Sequence, residues 1–204
     1  MIKQLTVTGK INLNKYGKFD IIYDQDLLDF INQLNFTITP LNPNNKLNYN
    51  LLKKSKGLII SGGGDIHKLS KKKIDKFRDN FELKLYNFFK KKNKPILAIC
   101  RGHQLLVNFH GGIIKKINNH VRKNHKLKII NGNFIKLNKI NVNSFHKYGS
   151  FTNINSFKST GFHKDGSIEI LEHKSKKILC TMFHPERKMK SKNKVFSEIK
   201  KFFK

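Results

Sequence analysis

One short segment constrains the fold of this chain more than any other: an apolar run, residues 95–99, ends on Cys100 and continues as RGHQ, residues 101–104. The apolar run predicts a buried strand, and the small and polar residues after it predict a sharp turn into a helix. Such an elbow lifts one nucleophile above the sheet and points the following backbone N–H groups towards it. A lone cysteine at a strand end is more often a core residue, so its meaning depends on the rest of the chain.

Two further motifs also come directly after apolar runs. A glycine triplet, residues 62–64, follows an early run, and an HPE motif follows a late one. Because ligands bind at the carboxyl ends of strands in open α/β sheets, we expect these motifs to meet. Together they predict Cys100 as a nucleophile, His184 as its general base and Glu186 as the group that orients the imidazole. The glycine loop and the backbone N–H of Arg101 predict an oxyanion hole.

Alternation of apolar runs with amphipathic segments indicates the fold class. In the first half, strands are predicted at residues 5–8, 36–39, 57–61 and 95–99, helices at residues 26–34, 74–91 and 104–109, and a chain stop at Pro40. In the second half, short β-like segments are predicted over residues 113–171. They include a hairpin turn at residues 131–132 between strands 126–130 and 134–137. A strand pair is predicted at residues 167–171 and 178–183, and a closing helix at residues 194–203. We expect an α/β fold with a mainly parallel central sheet flanked by helices, a small β-rich addition in the second half, and one domain over residues 1–204.

The cysteine count and the hydropathy pattern predict the redox environment of the protein and whether it crosses a membrane. The only cysteines, Cys100 and Cys180, lie far apart in the sequence, so we expect a reduced, cytoplasmic protein. Cys180 falls in an apolar strand, where we expect it to pack rather than react. The sequence has no apolar stretch of membrane-spanning length, and we expect no signal peptide and no membrane partner.

The net charge of +29 is the most unusual bulk property of the chain. The excess comes mainly from lysines spread from end to end, whereas specific nucleic-acid readers cluster arginine and aromatic side chains on one face. We therefore expect no specific nucleic-acid partner. Such a field still attracts polyanions and speeds the capture of anionic substrates.

Five stretches of this sequence resemble a known family. CRGHQ at residues 100–104, SGGGDI at residues 61–66 and HPE at residues 184–186 are similar to the class I glutamine amidotransferase superfamily. RDNFE at residues 78–82 and VNSFH at residues 142–146 are similar to its γ-glutamyl hydrolase branch, the peptidase C26 group. The resemblance implies a flavodoxin-like α/β fold. It also implies a Cys-His-Glu triad that cleaves a γ-glutamyl amide through a γ-glutamyl thioester, without a metal or organic cofactor.

Carried over by position, the resemblance assigns roles to individual residues. It implies that Cys100 is acylated, that His184 acts as acid and base, and that Glu186 is the partner of His184. The expected oxyanion donors are the backbone N–H groups of Gly63, Gly64 and Arg101. The expected contacts to the glutamyl group are Gln104, Asn143, Ser144, Phe145 and His146. A polar loop residue without a pocket role is the alternative for His146.

Other polar residues receive structural roles. Arg78, Asp79 and Glu82 are expected to form an ion network on a helix. The remaining histidines with no shared metal-ligand spacing are expected to be exposed or merely packed, and to hold no metal: His103, His110, His120, His125, His163 and His173.

The identity of the leaving group stays open among several hypotheses. The short length and the stretches at residues 143–148 and 183–187 are similar to the γ-glutamyl-CDP-amidate hydrolases of surface-polysaccharide modification, whose nucleotide leaving group suits a basic surface. A glutaminase subunit that delivers ammonia to a separate synthetase is one alternative, and it requires a partner chain. A non-catalytic polyanion-binding protein on the same scaffold is another. The expected partner is a small γ-glutamyl compound, and a homodimer is one option for the assembly.

Overall fold

The structure, a computed structural model, describes residues 3–39, 41, 43 and 47–204, so the predicted stop at Pro40 lies outside the described residues. The strands are β1 (Gln4–Val7), β2 (Lys10–Leu13), β3 (Phe19–Ile22), β4 (Thr37–Thr39), β5 (Leu58–Ile60), β6 (Ile96–Ile99), β7 (Ile114–Lys116), β8 (Val121–Ile129), β9 (Lys139–Phe145), β10 (Tyr148–Ser150), β11 (Phe157–Phe162), β12 (Ile168–His173) and β13 (Ile178–Thr181). The helices are α1 (Gln25–Gln33), α2 (Tyr49–Lys54), α3 (His67–Ser70), α4 (Lys73–Lys91), α5 (Arg101–Phe109) and α6 (Lys192–Phe202).

The main sheet has a parallel half and an antiparallel half. Strands β4, β1, β5, β6 and β13 lie side by side in that order and are parallel. From β13 the sheet continues antiparallel through β12, β11, β8 and β9, with β10 beside β12 and β7 beside β10. The predicted α/β fold with a mainly parallel central sheet is confirmed, and the β-rich addition is more extensive than predicted. Strands β2 and β3 form a separate hairpin.

Alternate residues of the parallel strands face two different apolar clusters, as the pleat of a strand requires. Ile59 and Leu97 belong to the cluster that includes α1 and α6, whereas Leu58 and Ile96 belong to the cluster that includes α4 and α5. Both strands are buried along their whole length because helices cover both faces of the sheet.

None of the described helices has the length and apolar character that a membrane crossing requires.

The predicted hairpin turn at residues 131–132 is wrong in its detail. Strands β8 and β9 do pair antiparallel, but residues 130–138 connect them without forming a strand. The Glu172 carboxylate accepts hydrogen bonds from three consecutive backbone N–H groups, those of residues 133–135, at 2.5–3.1 Å. Ile135 is thereby fixed in the core, fully buried. The carboxylate satisfies backbone donors that a strand pair would otherwise have satisfied.

Candidate active site

Cys100 occupies a strained turn between strand β6 and helix α5. Its φ of 48° and ψ of −97° lie outside the regions that side-chain-bearing residues favour, and strain of this kind is characteristic of a nucleophile elbow. The elbow is tight because Gly102 lies against the preceding parallel strand. A Cβ on Gly102 would come within 2.6 Å of the Ile60 carbonyl oxygen. Cys100 is 8% exposed, so the residue is mostly buried but retains some access to solvent.

His184 and Glu186 form a buried pair in the loop that follows strand β13. The His184 Nδ1 and Glu186 Oε1 atoms are 2.5 Å apart. Asn143 on strand β9 fixes the loop, because its side chain accepts a hydrogen bond from the His184 N–H (2.9 Å) and donates one to the His184 carbonyl (2.8 Å). A side chain at Gly62 would approach both His184 Cε1 and Cys100 Cβ, at 2.7 and 3.5 Å. The imidazole and the cysteine therefore flank Gly62 at the same edge of the sheet.

The electrostatics of this cluster favour the protonated imidazole. Burial alone disfavours the charged ring. The charge of Glu186 and the neighbouring Cys100 sulfur outweigh burial and raise the pKa of His184 to about 10. An imidazolium beside a sulfur is the charge arrangement that stabilises a thiolate nucleophile. By contrast, burial alone raises the pKa of the Cys180 thiol, which makes that cysteine unreactive.

Arg78 on helix α4 shapes the glycine loop. Its guanidinium donates hydrogen bonds to the carbonyl oxygens of Ser61, Gly62 and Gly63, at 3.3, 3.1 and 2.7 Å. In a trans peptide the N–H points opposite to the carbonyl. The N–H groups of Gly63 and Gly64 are consequently turned away from Arg78. Positive φ values of 84° and 76° at these two residues explain why glycine is needed there.

A buried ion network supports the loop from below. Arg78 Nε is 2.8 Å from a Glu82 oxygen, and the Arg101 guanidinium bridges Glu82 and Asp79. Burial would raise the pKa of Glu82, but the charges of the two arginines outweigh it and hold that pKa below its usual range. The predicted ion network of Arg78, Asp79 and Glu82 is confirmed. The side chain of Arg101, for which the sequence indicates no role, ties the first residue of helix α5 to helix α4.

A pocket of about 250 Å³ opens above the elbow. Most of the predicted site residues contribute to its wall, together with some that were not predicted. The lining residues are Gly63, Gly64, Asp65, Cys100, Gln104, Phe145, His146, Lys147, Tyr148, His184 and Arg187. The Gln104 side-chain amide is held by the Tyr148 carbonyl oxygen at 3.0 Å.

Two of the residues expected to contact substrate lie outside this wall. Asn143 is committed to the backbone of the His184 loop, as described above. Ser144 is fully buried and points to the opposite side of strand β9, where its hydroxyl donates to the His120 carbonyl oxygen at 2.5 Å. The geometry thus gives Asn143 a positioning role and Ser144 a structural one. Phe145, the next residue, does reach the pocket and packs edge-on against the His184 ring.

The fold brings together one group of polar residues that have no shared metal-ligand spacing in the sequence. His120, His125, His146 and Glu169 are all buried, and one nitrogen or oxygen of each lies within 4.8 Å of the others. They come from β8 and the residue before it, from the link between β9 and β10, and from β12. No local spacing pattern in the sequence can show residues that only the tertiary fold brings together.

Comparisons with known proteins identify the family and the fold of this chain. The family model of Peptidase C26 matches residues 33–186. A γ-glutamyl-CDP-amidate hydrolase of Campylobacter jejuni is 29% identical over 155 residues, which cover 75% of this chain and 72% of that protein. A glutamine-hydrolysing GMP synthase subunit of Methanococcus aeolicus is 27% identical over 137 residues, or 66% of each chain. The crystal structure of a glutamine amidotransferase from Thermotoga maritima superposes with a TM-score of 0.68 at 16% identity, covering 91% of this chain and 76% of that one, and shows the same fold.

Proposed function

This chain belongs to the peptidase C26 family, and we propose that it hydrolyses a γ-glutamyl amide through a thioester on Cys100. The family and the relatives support amide hydrolysis of the glutamine amidotransferase type. The observation that carries the finer proposal is that Cys100 and His184 both line the pocket while Glu186 is paired with the His184 ring. A strained cysteine, a buried imidazole and a carboxylate on the imidazole's far nitrogen match the roles of nucleophile, base and orienting group.

The chemistry follows from the charges. The Cys100 sulfur attacks the γ-carbonyl carbon of the substrate, and the carbonyl oxygen becomes an oxyanion. The N–H groups of Gly63, Gly64 and Arg101 stabilise that oxyanion, and one such donor is worth about 3–4 kcal/mol. His184 gives its proton to the departing amine, and the C–N bond breaks. Water, deprotonated by His184, then cleaves the thioester and releases glutamate.

Basic residues at the pocket support an anionic leaving group. Arg187 and Lys147 line the pocket that contains Cys100, and Lys10 lines the adjoining pocket on the other side of Gly62 and His184. Arginine and lysine bind phosphate oxygens by charge-assisted hydrogen bonds. We therefore propose γ-glutamyl-CDP-amidate, the compound in the name of the Campylobacter relative, as the substrate.

A second candidate function is a glutaminase subunit that transfers ammonia to a separate synthetase. The match to the glutamine-hydrolysing GMP synthase of Methanococcus aeolicus favours it. The two functions differ in what the isolated chain does. A hydrolase acts alone, whereas a glutaminase of this kind depends on its synthetase partner for glutamine cleavage.

The test is glutamate release by the isolated chain from γ-glutamyl-CDP-amidate, L-glutamine and γ-glutamyl-p-nitroanilide. We expect the nucleotide substrate to be preferred, with phosphorus NMR identifying the released CDP-amidate. Cys100→Ala abolishes release, whereas Cys180→Ala, the matched control at the buried cysteine, retains it. Absence of glutamate from all three substrates, in a chain that an electrophilic glutamine analogue does not label, would refute the proposal. Cleavage of glutamine that appears only with a synthetase present would favour the second candidate.

The leaving-group proposal has its own test. Arg187→Met raises KM for γ-glutamyl-CDP-amidate, because a phosphate-binding charge is lost, but leaves KM for the uncharged anilide nearly unchanged. Arg122→Met removes an exposed arginine that does not line the pocket and serves as the matched control. An equal effect of Arg187→Met on both substrates would contradict an anionic leaving group.

A further inference from the structure

Four buried side chains converge beside the active site, and the proposed hydrolysis uses none of them as nucleophile, base or oxyanion donor. The histidine cluster consists of His120, His125, His146 and Glu169, each at most 3% exposed. Glu169 Oε1 lies 3.4 Å from His146 Nε2 and 3.7 Å from His120 Nδ1. The His120 and His125 rings have centroids 4.1 Å apart. The donor atoms therefore surround one small volume.

Five buried polar atoms of the histidine cluster lack a hydrogen-bond partner among the described residues. Among the described residues, no hydrogen bond is made by His120 Nδ1, by either ring nitrogen of His125, by His146 Nε2 or by Glu169 Oε2. Buried polar atoms of native proteins almost always find a partner, because leaving one unsatisfied is costly. Five such atoms in four neighbouring side chains point to a common ligand.

The outward-facing nitrogens, by contrast, are bonded in a way that orients the rings. His120 Nε2 is 2.7 Å from an Asp165 carboxylate oxygen, and His146 Nδ1 is 3.1 Å from the Tyr148 carbonyl oxygen. Each acceptor holds the proton on the outer nitrogen, so the lone pair of the inner nitrogen faces the cluster. Carboxylates and backbone carbonyls play this part behind metal-bound histidines.

We propose that His120, His125, His146 and Glu169 bind one transition-metal ion, with Zn²⁺ as the physiological occupant. Three imidazoles and one carboxylate form a four-ligand set that suits tetrahedral Zn²⁺, whereas Ca²⁺ and Mg²⁺ prefer oxygen ligands throughout. Four protein ligands in a buried position leave no open coordination site. The ion is therefore structural and takes no part in amide cleavage.

The position of the site indicates what a bound ion would stabilise. It ties strands β8 and β12 to the link between β9 and β10, which carries His146 and leads into Tyr148 at the start of β10. Both residues line the substrate pocket, and the Tyr148 carbonyl also accepts the hydrogen bond from Gln104. A bound ion thus fixes one wall of the pocket against the antiparallel half of the sheet.

Metal content of the full-length protein without a histidine tag is the first test. We expect about one zinc per chain by plasma mass spectrometry, or uptake of one equivalent when ZnCl₂ is added to chelator-treated protein. Added Co²⁺ is expected to give the intense visible absorption bands of a tetrahedral site. Zinc below about a tenth of an equivalent after ZnCl₂ addition, with no Co²⁺ bands, would overturn the proposal. This readout does not depend on catalytic activity, so its failure is separate from failure of the proposed hydrolysis.

Variants then test the ligand set. Asp165→Asn removes an orienting partner and is expected to weaken zinc binding about 10–100-fold. His125→Gln removes a ligand and is expected to weaken it further. The matched control is His173→Gln, which replaces a buried histidine outside the cluster and is expected to leave zinc affinity unchanged. Equal loss of zinc in the His125 and His173 variants would contradict the assignment. If a variant does not fold, the Co²⁺ spectrum of the unmodified chain still decides the coordination.

Discussion

Replacing Gly62 with alanine is the sharpest test of the active-site geometry. The added Cβ would lie 2.7 Å from His184 Cε1, and ordinary van der Waals contact begins near 3.4 Å. A retreat of the loop is opposed because Arg78 holds the Gly62 carbonyl by a hydrogen bond at 3.1 Å. The imidazole must therefore move by about 0.7 Å, away from its bond to Glu186 or from the Cys100 sulfur. A misplacement of about 1 Å at a reacting group costs about 100-fold in rate, which corresponds to about 2.7 kcal/mol in the activation barrier.

Steady-state glutamate release measures this effect, and we expect kcat of Gly62→Ala to fall by about 100-fold. Gly161→Ala is the matched control, because its Cβ would meet the Ile170 side chain of strand β12 at 2.6 Å, and neither residue lines the pocket. The control is expected to lower the melting temperature and leave kcat of the folded enzyme unchanged. A Gly62→Ala enzyme that retains kcat within about twofold would refute the contact between Gly62 and the catalytic imidazole.

Three further predictions concern charge and stability. The folded-state pKa of His184, about 10, exceeds the ordinary value of 6.5, so the folded chain binds the extra proton and its stability falls as the pH rises from 6.5 towards 10. Urea unfolding of Glu186→Gln over that range should show a smaller decline in the free energy of unfolding. A decline identical to that of the unmodified chain would count against the pairing of His184 with Glu186. Arg78→Met removes one of the two arginines that pair with the buried Glu82 carboxylate and leaves three carbonyl groups without their donor, so it should lower the free energy of unfolding by about 3–5 kcal/mol. Arg122→Met at an exposed position should change it by less than about 0.5 kcal/mol. Glu172→Gln should cost about 1–3 kcal/mol and speed hydrogen exchange at residues 133–135 without changing kcat, and unchanged exchange there would contradict its role as their acceptor.

The parallel half of the fold could be predicted because its signals are local. The apolar run before Cys100 specifies a buried strand, and the Gly102 that follows specifies a tight entry into the next helix. The predicted helix at residues 74–91 differs from helix α4 by one residue at its start. Local sequence also specified that the HPE motif follows a strand, although the distance between His184 and Cys100 depends on the packing of the sheet.

The rest of the site depends on contacts between residues distant in sequence, which no local pattern reveals. The hairpin at residues 131–132 was misjudged because Glu172, about 40 residues later, satisfies the backbone of the connecting loop. Arg101 was predicted only as a backbone donor, since nothing near it in sequence identifies Glu82 as its partner. Histidines on separate strands likewise carry no spacing signal.

One segment joins the two sites that the structure brings together. In the stretch that follows Val142, Asn143 holds the catalytic loop at the backbone of His184, and three residues later His146 faces the histidine cluster. The end of strand β9 and the link that follows it therefore contact the active site at one residue and the neighbouring histidine cluster at another. The resemblance to the family assigns this stretch to the substrate pocket. Phe145 and His146 do line that pocket, and His146 also faces the proposed zinc site. Loss of the ion should therefore act on KM, through the pocket wall, before it acts on kcat.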